Sequence, residues 1–589
     1  MKNETADLYC DTWLRGDHLY ISDLRICKPS EVLSEGPRRY HWRMLDYVAE
    51  SIEGTMLIAG PETAAPQVTV PVNENGLHGI SIGVLGGSED VRVLVRLSGD
   101  ETFTVLTLPG EQDGHRGSKL SEIFFKIEDI TDRSIQFGQI SWNVSDGTGL
   151  GSTTSTPANI AYIKLVQLTE LESKRFLEDQ NRTDTRRLLA HNDAHTVHFA
   201  SRPTTPEEIR WHIEPYRDSD IGSLYWEGGI GEQTFYFSKI GKAMTHDGLD
   251  DFPRQGDRLF AESWRVLRDK NIDPFEIACE YAHELGLEFH ACYRPAGFHF
   301  PPPHGHFTHG NTFYETHQNL RCRDRNGNMT PRISYAFPES RMFVVSLLSE
   351  MVGYGTDGVC ILYNRRPPLV EYDQPLVDEF IIEHGIDPRT LDPGDPRWIK
   401  RKATALTSFH RELRDAMDST GVSEFTGARR KISVIVMSNE EENLKYGMDL
   451  ETWVKEDLVD VIIPYSSAPD VDSSSHAWSD PRDIDYFVSI ARGTSCTVAA
   501  NMMPRTLTSE EYRTIASGLY GRDVDHLFFW DTDIQQPRSN SAGPWDAARR
   551  LGHRDEVEGW IESGSPTLAL PKKSLLKLGD WDLSYVTPG

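Results

Sequence analysis

From about residue 185 the chain alternates short apolar runs with amphipathic helical stretches, eight times over. The runs read "RLLAHND", "IGSLYWEGG", "LEFHACYRP", "DGVCILYN", "KISVIVMSN", "VDVIIPYSS", "CTVAANMMP" and "HLFFWDTD". Strands this apolar are buried on both faces, which suits parallel pairing, and a helix between each pair makes them β-α units. Eight such units close a (β/α)8 TIM barrel. A doubly wound open sheet is the alternative, but no glycine-rich phosphate fingerprint opens the first βα turn.

The helices carry their own punctuation. In "TTPEEIRWHI", Thr205 predicts an N-cap, Pro206 the first helical position and Glu208 the return arm of a capping box. Asp273 and Pro274 open "DPFEIACEYAHELG", which buries Phe275, Ala278, Ala282 and Leu285 before Gly286 stops it. Thr508 and Glu511 predict another capping box.

Residues 1–170 have a different rhythm. "GTMLIAG", "PQVTVPV", "HGISIGVLG", "VRVLVRLSG", "FTVLTLPG" and "EIFFKIEDI" recur at close spacing with almost no helical periodicity. They predict an N-terminal antiparallel β-sandwich, jelly-roll-like, ahead of the barrel. Residues 171–184 read as a charged linker and 185–562 as the barrel. The tail, 563–589, returns to strand-like text and is expected to leave the barrel and pair into a sheet.

A chain of 589 residues has ample length for two large domains. Its formal charge of −29 argues against a nucleic-acid partner, which would need clustered Lys and Arg. Seven cysteines without a C-x-x-C pair give neither a disulfide framework nor a zinc ribbon. Cys292, Cys360 and Cys496 lie inside apolar runs, as small buried hydrophobes do. No apolar run approaches ~18 residues, so no membrane span is expected. The first residues lack a basic, then apolar, leader, and a cytoplasmic setting is the expectation. A chain trimmed of its leader would read the same. Homo-oligomers stay open.

Barrel chemistry sits at the C-terminal ends of the strands, so position nominates the candidates. Strand one delivers His191, Asn192 and Asp193, strand two Trp226 and Glu227, and strand three Tyr293 and Arg294 with a long loop after them. Strand four gives Asn364, Arg365 and Arg366, with Asp373 a little further on. Strand five ends near Glu440 and Glu441, strand six at Tyr465, strand seven at Asn501, and strand eight at Trp530 and Asp531. Carboxylates, amides, guanidinium groups and aromatic rings on one rim suit a carbohydrate. Planar donors and acceptors meet its hydroxyls, and aromatic faces cover its C–H patches. Cutting a glycosidic bond needs an acid for the leaving oxygen and a second carboxylate as nucleophile or base. Glu440 or Glu441 with Asp531 is the expected pair, Asp373 is a further catalytic candidate, and the rest are expected to bind sugar. Each has a plainer reading. Glu441 reads equally well as a first-turn helix acid, Asp531 can fix a barrel-end loop, and Asp357 at the start of its strand reads as a stability residue. No cofactor fingerprint or fixed metal-ligand spacing appears, so none is expected. The strand-one histidines nevertheless keep a metal-dependent hydrolase or isomerase as an alternative. A His-bearing, Pro-rich loop such as "FHFPPPHGHFTHGNTFYETH" reads as a lid or cleft wall.

Beyond these residues, several phrases carry a resemblance: "HND", "GSLYWEGGIGEQTFYFSKIG", "CRDRNGNMTPRISYAFPESR", "GTDGVCILYNRRPPLVEYDQP" and "EENLKYGMDLETWVKEDLVDVIIPY". Through them residues 185–560 resemble the glycosyl-hydrolase-like TIM barrels often labelled family-10-like. The resemblance implies a hydrolase acting on an oligo- or polysaccharide. Broader relatives place an acidic residue at the end of strand four, where this chain has Leu362. A leucine transfers no proton, so acid and base must come from Glu440 or Glu441, Asp531, Asp373 or Asp193. Arg365 and Arg366 would then bind an acidic or decorated glycan rather than react. The missing acid also leaves open a carbohydrate-binding barrel without catalysis.

Overall fold

The computed structural model describes residues 14, 16–110, 119–144, 152–249, 252–300, 305–365, 367–465, 483–502, 507–530, 532, 544–562 and 570–583. Eight parallel strands among them form a closed barrel. In order they are Leu188–Asn192, Ile221–Ile230, Glu288–Arg294, Gly358–Leu362, Lys431–Val436, Val461–Pro464, Thr497–Asn501 and His526–Phe529. Each pairs with the next, and the first pairs with both the second and the eighth, which closes the ring. The sequence expectation of a (β/α)8 barrel is the fold observed.

Side chains alternate across each strand, and the alternation sorts the barrel into two cores. Leu189, Tyr225, Cys292, Cys360, Leu362, Ile435, Ile463, Tyr465, Ala499, Phe528 and Trp530 pack together inside the ring. Their neighbours of opposite parity, Leu188, Ala190, Leu224, Trp226, Phe289, Tyr293, Val359 and Ile361, join the larger cluster beneath the helices. A polar plug closes the floor, where Lys431 Nζ reaches Glu288 Oε2 at 2.7 Å and His290 Nε2 lies 3.2 Å from the same oxygen. Burial alone would raise the Glu288 carboxyl, but His290 and Lys431 bring it down to about 2. Asp357, beside this floor, accepts from Phe289 N at 2.7 Å and pairs with His283 at 2.9 Å, which fastens strand four to strand three.

The helix caps follow the local code with one shift. Thr508 and Glu511 make the full capping box. Thr205 caps Pro206–Arg210, but the Glu208 carboxylate turns back one residue further, to Thr204 N and Oγ1.

Ahead of the barrel, a largely antiparallel nine-stranded sheet faces a four-stranded one. Val68, Val70, Ile80, Ile82, Val84, Val91, Val93, Val95, Phe125, Ile135, Phe137 and Ile163 fill the space between them. The C-terminal strand Lys572–Leu578 belongs to the larger sheet, paired with Trp42–Ala49 and Lys119–Asp129. The outer face of the smaller sheet meets the barrel, where Leu94, Phe103, Val105 and Ile140 pack with Trp211. Arg96 pairs with Glu207 at 3.2 Å beside that contact. These barrel residues lie on the segments leading down into strand two, so the sandwich sits against the lower half of the barrel, away from the strand ends that form its mouth.

A second fastening runs through the helix Glu170–Gln180, which joins the two regions. Its Asp179 accepts from Arg550 Nη1 and from His553 Nε2, both at 2.9 Å, while His553 Nδ1 meets Asp220 Oδ2 at 2.7 Å. Both imidazole nitrogens face carboxylates, so the ring is held as a cation. Burial opposes that charge, but the two hydrogen bonds and the Asp220 charge carry the His553 pKa up to about 9.

Candidate functional site

The top layer of the barrel interior is built by the same alternation. His191, Glu227, Arg294, Tyr465, Asn501 and Trp530 sit on the inward side of their strand ends. The ladder of strand four runs on through Tyr363 N to Ile435 O at 2.9 Å, which puts Asn364 next after Leu362 on the inner side. Residues up to about 340 positions apart in sequence thereby meet in one buried layer.

Its floor is a stack of two fully buried rings. The His191 imidazole lies flat on the Trp530 indole, with ring centroids 4.1 Å apart and planes 9° apart. Tyr465 meets the same indole edge-on at 5.3 Å. The Arg365 guanidinium carbon lies 4.7 Å from the indole centroid, within cation–π range. Thr532 holds the end of strand eight to strand one, donating through N and Oγ1 to His191 O at 2.7 and 2.8 Å. The indole is therefore fixed from several directions.

Among the described residues, Glu227 is the carboxylate in this layer. It is 1% exposed, accepts from Arg294 Nε, and lies 3.8 Å from His191 Nε2. Asn364 is buried as deeply, at 2% exposure, yet neither its Oδ1 nor its Nδ2 finds a hydrogen-bond partner in the protein. Asn192 uses Oδ1 to accept from Ala194 N at 2.9 Å, while its Nδ2 has no partner. Unpaired buried amide atoms cost on the order of 1–3 kcal/mol each.

Other residues nominated from sequence lie elsewhere. Trp226 and Tyr293 have the outward parity. Trp226 packs near Phe289 under the helices, and the Tyr293 hydroxyl donates to Gly231 O at 2.7 Å. They are core residues, a correction that follows from strand pleat alone. Asp193 caps the next helix through Thr196 N and Oγ1, at 2.8 and 2.9 Å, and is half-buried at the rim. Asp373 is 1% exposed and accepts from Ser334 Oγ at 2.6 Å and from Arg323 N and Glu371 N at 2.9 Å. It latches the hairpin Arg321–Ile333 to the strand-four loop, and burial raises its carboxyl above the ordinary range. Glu440 and Glu441 occupy the exposed first turn of Glu440–Lys445, capped by Asn439. Arg366 and Asp531 lie outside the described residues.

The strand-three loop forms a pinned wall. Glu232, which sequence reasoning passed over, accepts from Thr312 N at 2.8 Å and Phe313 N at 2.7 Å. His195 sits apart from the floor among Phe199, Phe235, Phe260 and Phe307, and burial pushes its pKa down to about 4. Among the described residues, the group with metal-like spacing is Asp179, His553 and Glu556, far from the mouth. The Arg550 guanidinium already bridges Asp179 and Glu556 there, at 2.9 and 2.6 Å, so a cation is in place. Among the described residues, the strand-one histidines do not form such a group.

No family model matches the chain, and no curated protein matches it. Solved structures similar to it include the PgaB (BpsB) glycoside hydrolase domain from Bordetella bronchiseptica. That one is 14% identical with a TM-score of 0.41, covering 62% of this chain and 99% of that one. A β-galactosidase from Marinomonas ef1 is 13% identical with a TM-score of 0.38, covering 64% of this chain and 60% of that one. The catalytic domain of β-amylase from Paenibacillus polymyxa is 9% identical with a TM-score of 0.38, covering 64% and 98%. At these identities and scores, the function of the chain rests on its own residues. No helix among the described residues is long and apolar enough to cross a membrane.

Proposed function

We propose that the barrel mouth binds an oligo- or polysaccharide and hydrolyses a glycosidic bond, as the family-10-like resemblance implies. The observation that carries this reading is the unspent amide of Asn364 in the layer that also holds Glu227 and Arg294. A sugar presents a rim of hydroxyls to an amide that can both donate and accept. Glu227, paired with Arg294, suits the carboxylate that faces a developing oxocarbenium ion as nucleophile, base or electrostatic partner. The proton for the leaving oxygen would come from Glu440, Glu441 or Asp531. Loss of turnover in Glu227→Gln, and in one of Glu440→Gln, Glu441→Gln or Asp531→Asn, is the expected outcome. Normal turnover in all four would sink the assignment.

A second reading is a carbohydrate-binding barrel without catalysis. Leu362 on the inner wall favours it, as does the exposure of Glu440 and Glu441 on a helix turn. Binding across a glycan panel without any product would decide for it.

A further inference from the structure

We infer that the glycan recognised at this mouth carries an anionic substituent, a carboxylate or a sulfate, which Arg365 binds. The inference rests on the carbohydrate reading above and names the class of sugar.

The argument starts from an arginine without an acid. The chain has 90 Asp and Glu against 61 Lys and Arg, so an acidic partner is seldom far from a guanidinium. Arg294 has Glu227, Arg341 has Glu412, and Arg414 has Asp460. Arg365 has no ion pair among the described residues, and its buried Nε has no hydrogen-bond partner. Its contact is the face of Trp530. A guanidinium held against an indole is partly stripped of water and keeps its N–H edge for an incoming group. Two parallel N–H bonds from that edge match a carboxylate or sulfate, whereas a neutral hydroxyl satisfies one at a time.

The surroundings agree. Glu227, in the same layer, is paired with Arg294, and Arg365 has no ion pair among the described residues. Asn364, the residue before it, offers an unpaired donor and acceptor for the neighbouring hydroxyls. Tyr465 and His191 brace the indole on which the guanidinium rests. A buried N–H without a partner is a cost that folding alone gives no reason to keep, and a bound anion supplies the reason. The protein's net charge of −29 repels anions at long range, so the attraction is local and sensitive to salt.

The test measures binding by calorimetry with three trisaccharides of one linkage: an oligouronate, its methyl ester, and a sulfated neutral counterpart. The wild type is expected to hold the oligouronate or the sulfated sugar at least about 10-fold tighter than the methyl ester. Arg365→Ala should bring that ratio to about one, and Arg365→Lys should leave it between the two. Melting temperatures check that the half-exposed position leaves the fold intact. The stronger of the two charged sugars identifies which anion the site takes. Equal binding of charged and esterified sugars, with a ratio unmoved by Arg365→Ala, overturns the inference and leaves the carbohydrate reading standing. No binding of any of the three, at any salt, overturns both.

Discussion

Replacing His553 by Gln removes the cation that two carboxylates hold between the joining helix and the barrel floor. Asp179 and Asp220 face its ring directly, Asp184 and Glu556 add to the negative field, and Arg550 opposes it. A histidine pKa carried from 6.5 to about 9 corresponds to about 3 kcal/mol of folded-state stabilisation. Because the folded pKa is the raised one, that contribution is complete below about pH 6.5 and is lost as pH rises through 9. Asp179 has the opposite sense. His553 and Arg550, against the cost of burial, hold its carboxyl below the ordinary range, so its contribution fades as pH falls below about 4. The latch should therefore be firmest from about pH 4 to 6.5. Amide exchange in Glu170–Gln180, corrected for the intrinsic pH dependence, reads the effect locally. Between pH 6 and 9.5 the wild type should lose about 100-fold in protection, and His553→Gln should begin low and stay nearly flat. The same loss with pH in both proteins would refute the assignment of charge to His553.

Two further substitutions separate stability from function. Asn364→Leu keeps the volume and deletes two unpaired buried polar atoms, so the urea midpoint should stay level or rise while saccharide affinity falls about 10-fold or more. Asp373→Ala strands the Ser334 hydroxyl and the Arg323 and Glu371 amides, and chemical unfolding should report a loss of about 3 kcal/mol. Unchanged stability in Asp373→Ala would mean that the latch on the strand-three hairpin contributes nothing.

The barrel was legible because its strands are short, apolar and separated by capped helices. The local code for Thr508 and Glu511 needed no tertiary information. Which residues face the barrel interior was also written in the text, though less plainly. In "LEFHACYR" the alternate positions Glu288, His290 and Arg294 are polar, while Phe289, Ala291 and Tyr293 are not. Charged and imidazole groups do not face a packed helix layer without partners, so the polar parity must be the inner one. Applied to strands two and three, that rule selects Glu227 and Arg294 and removes Trp226 and Tyr293. The pairing of Glu227 with Arg294 was not legible, because it depends on the register between two strands about 60 residues apart. The fate of Asp373 was hidden for a similar reason. Its three donors include Arg323 and Ser334, on a hairpin whose path no local pattern fixes. At Glu440 and Glu441 two local readings compete at one place, since a strand-end acid and a first-turn helix acid share the same sequence signature.

The most direct test of the hydrolase account is oxygen transfer from water. The protein is incubated with a panel of neutral, uronic and sulfated oligosaccharides in water enriched in oxygen-18, and the products are weighed by mass spectrometry. One labelled oxygen at each new reducing end in the wild type, and none above background with Glu227→Gln, is the predicted result. Products that form at the same rate in Glu227→Gln, or no labelled product from any sugar that binds, would contradict it.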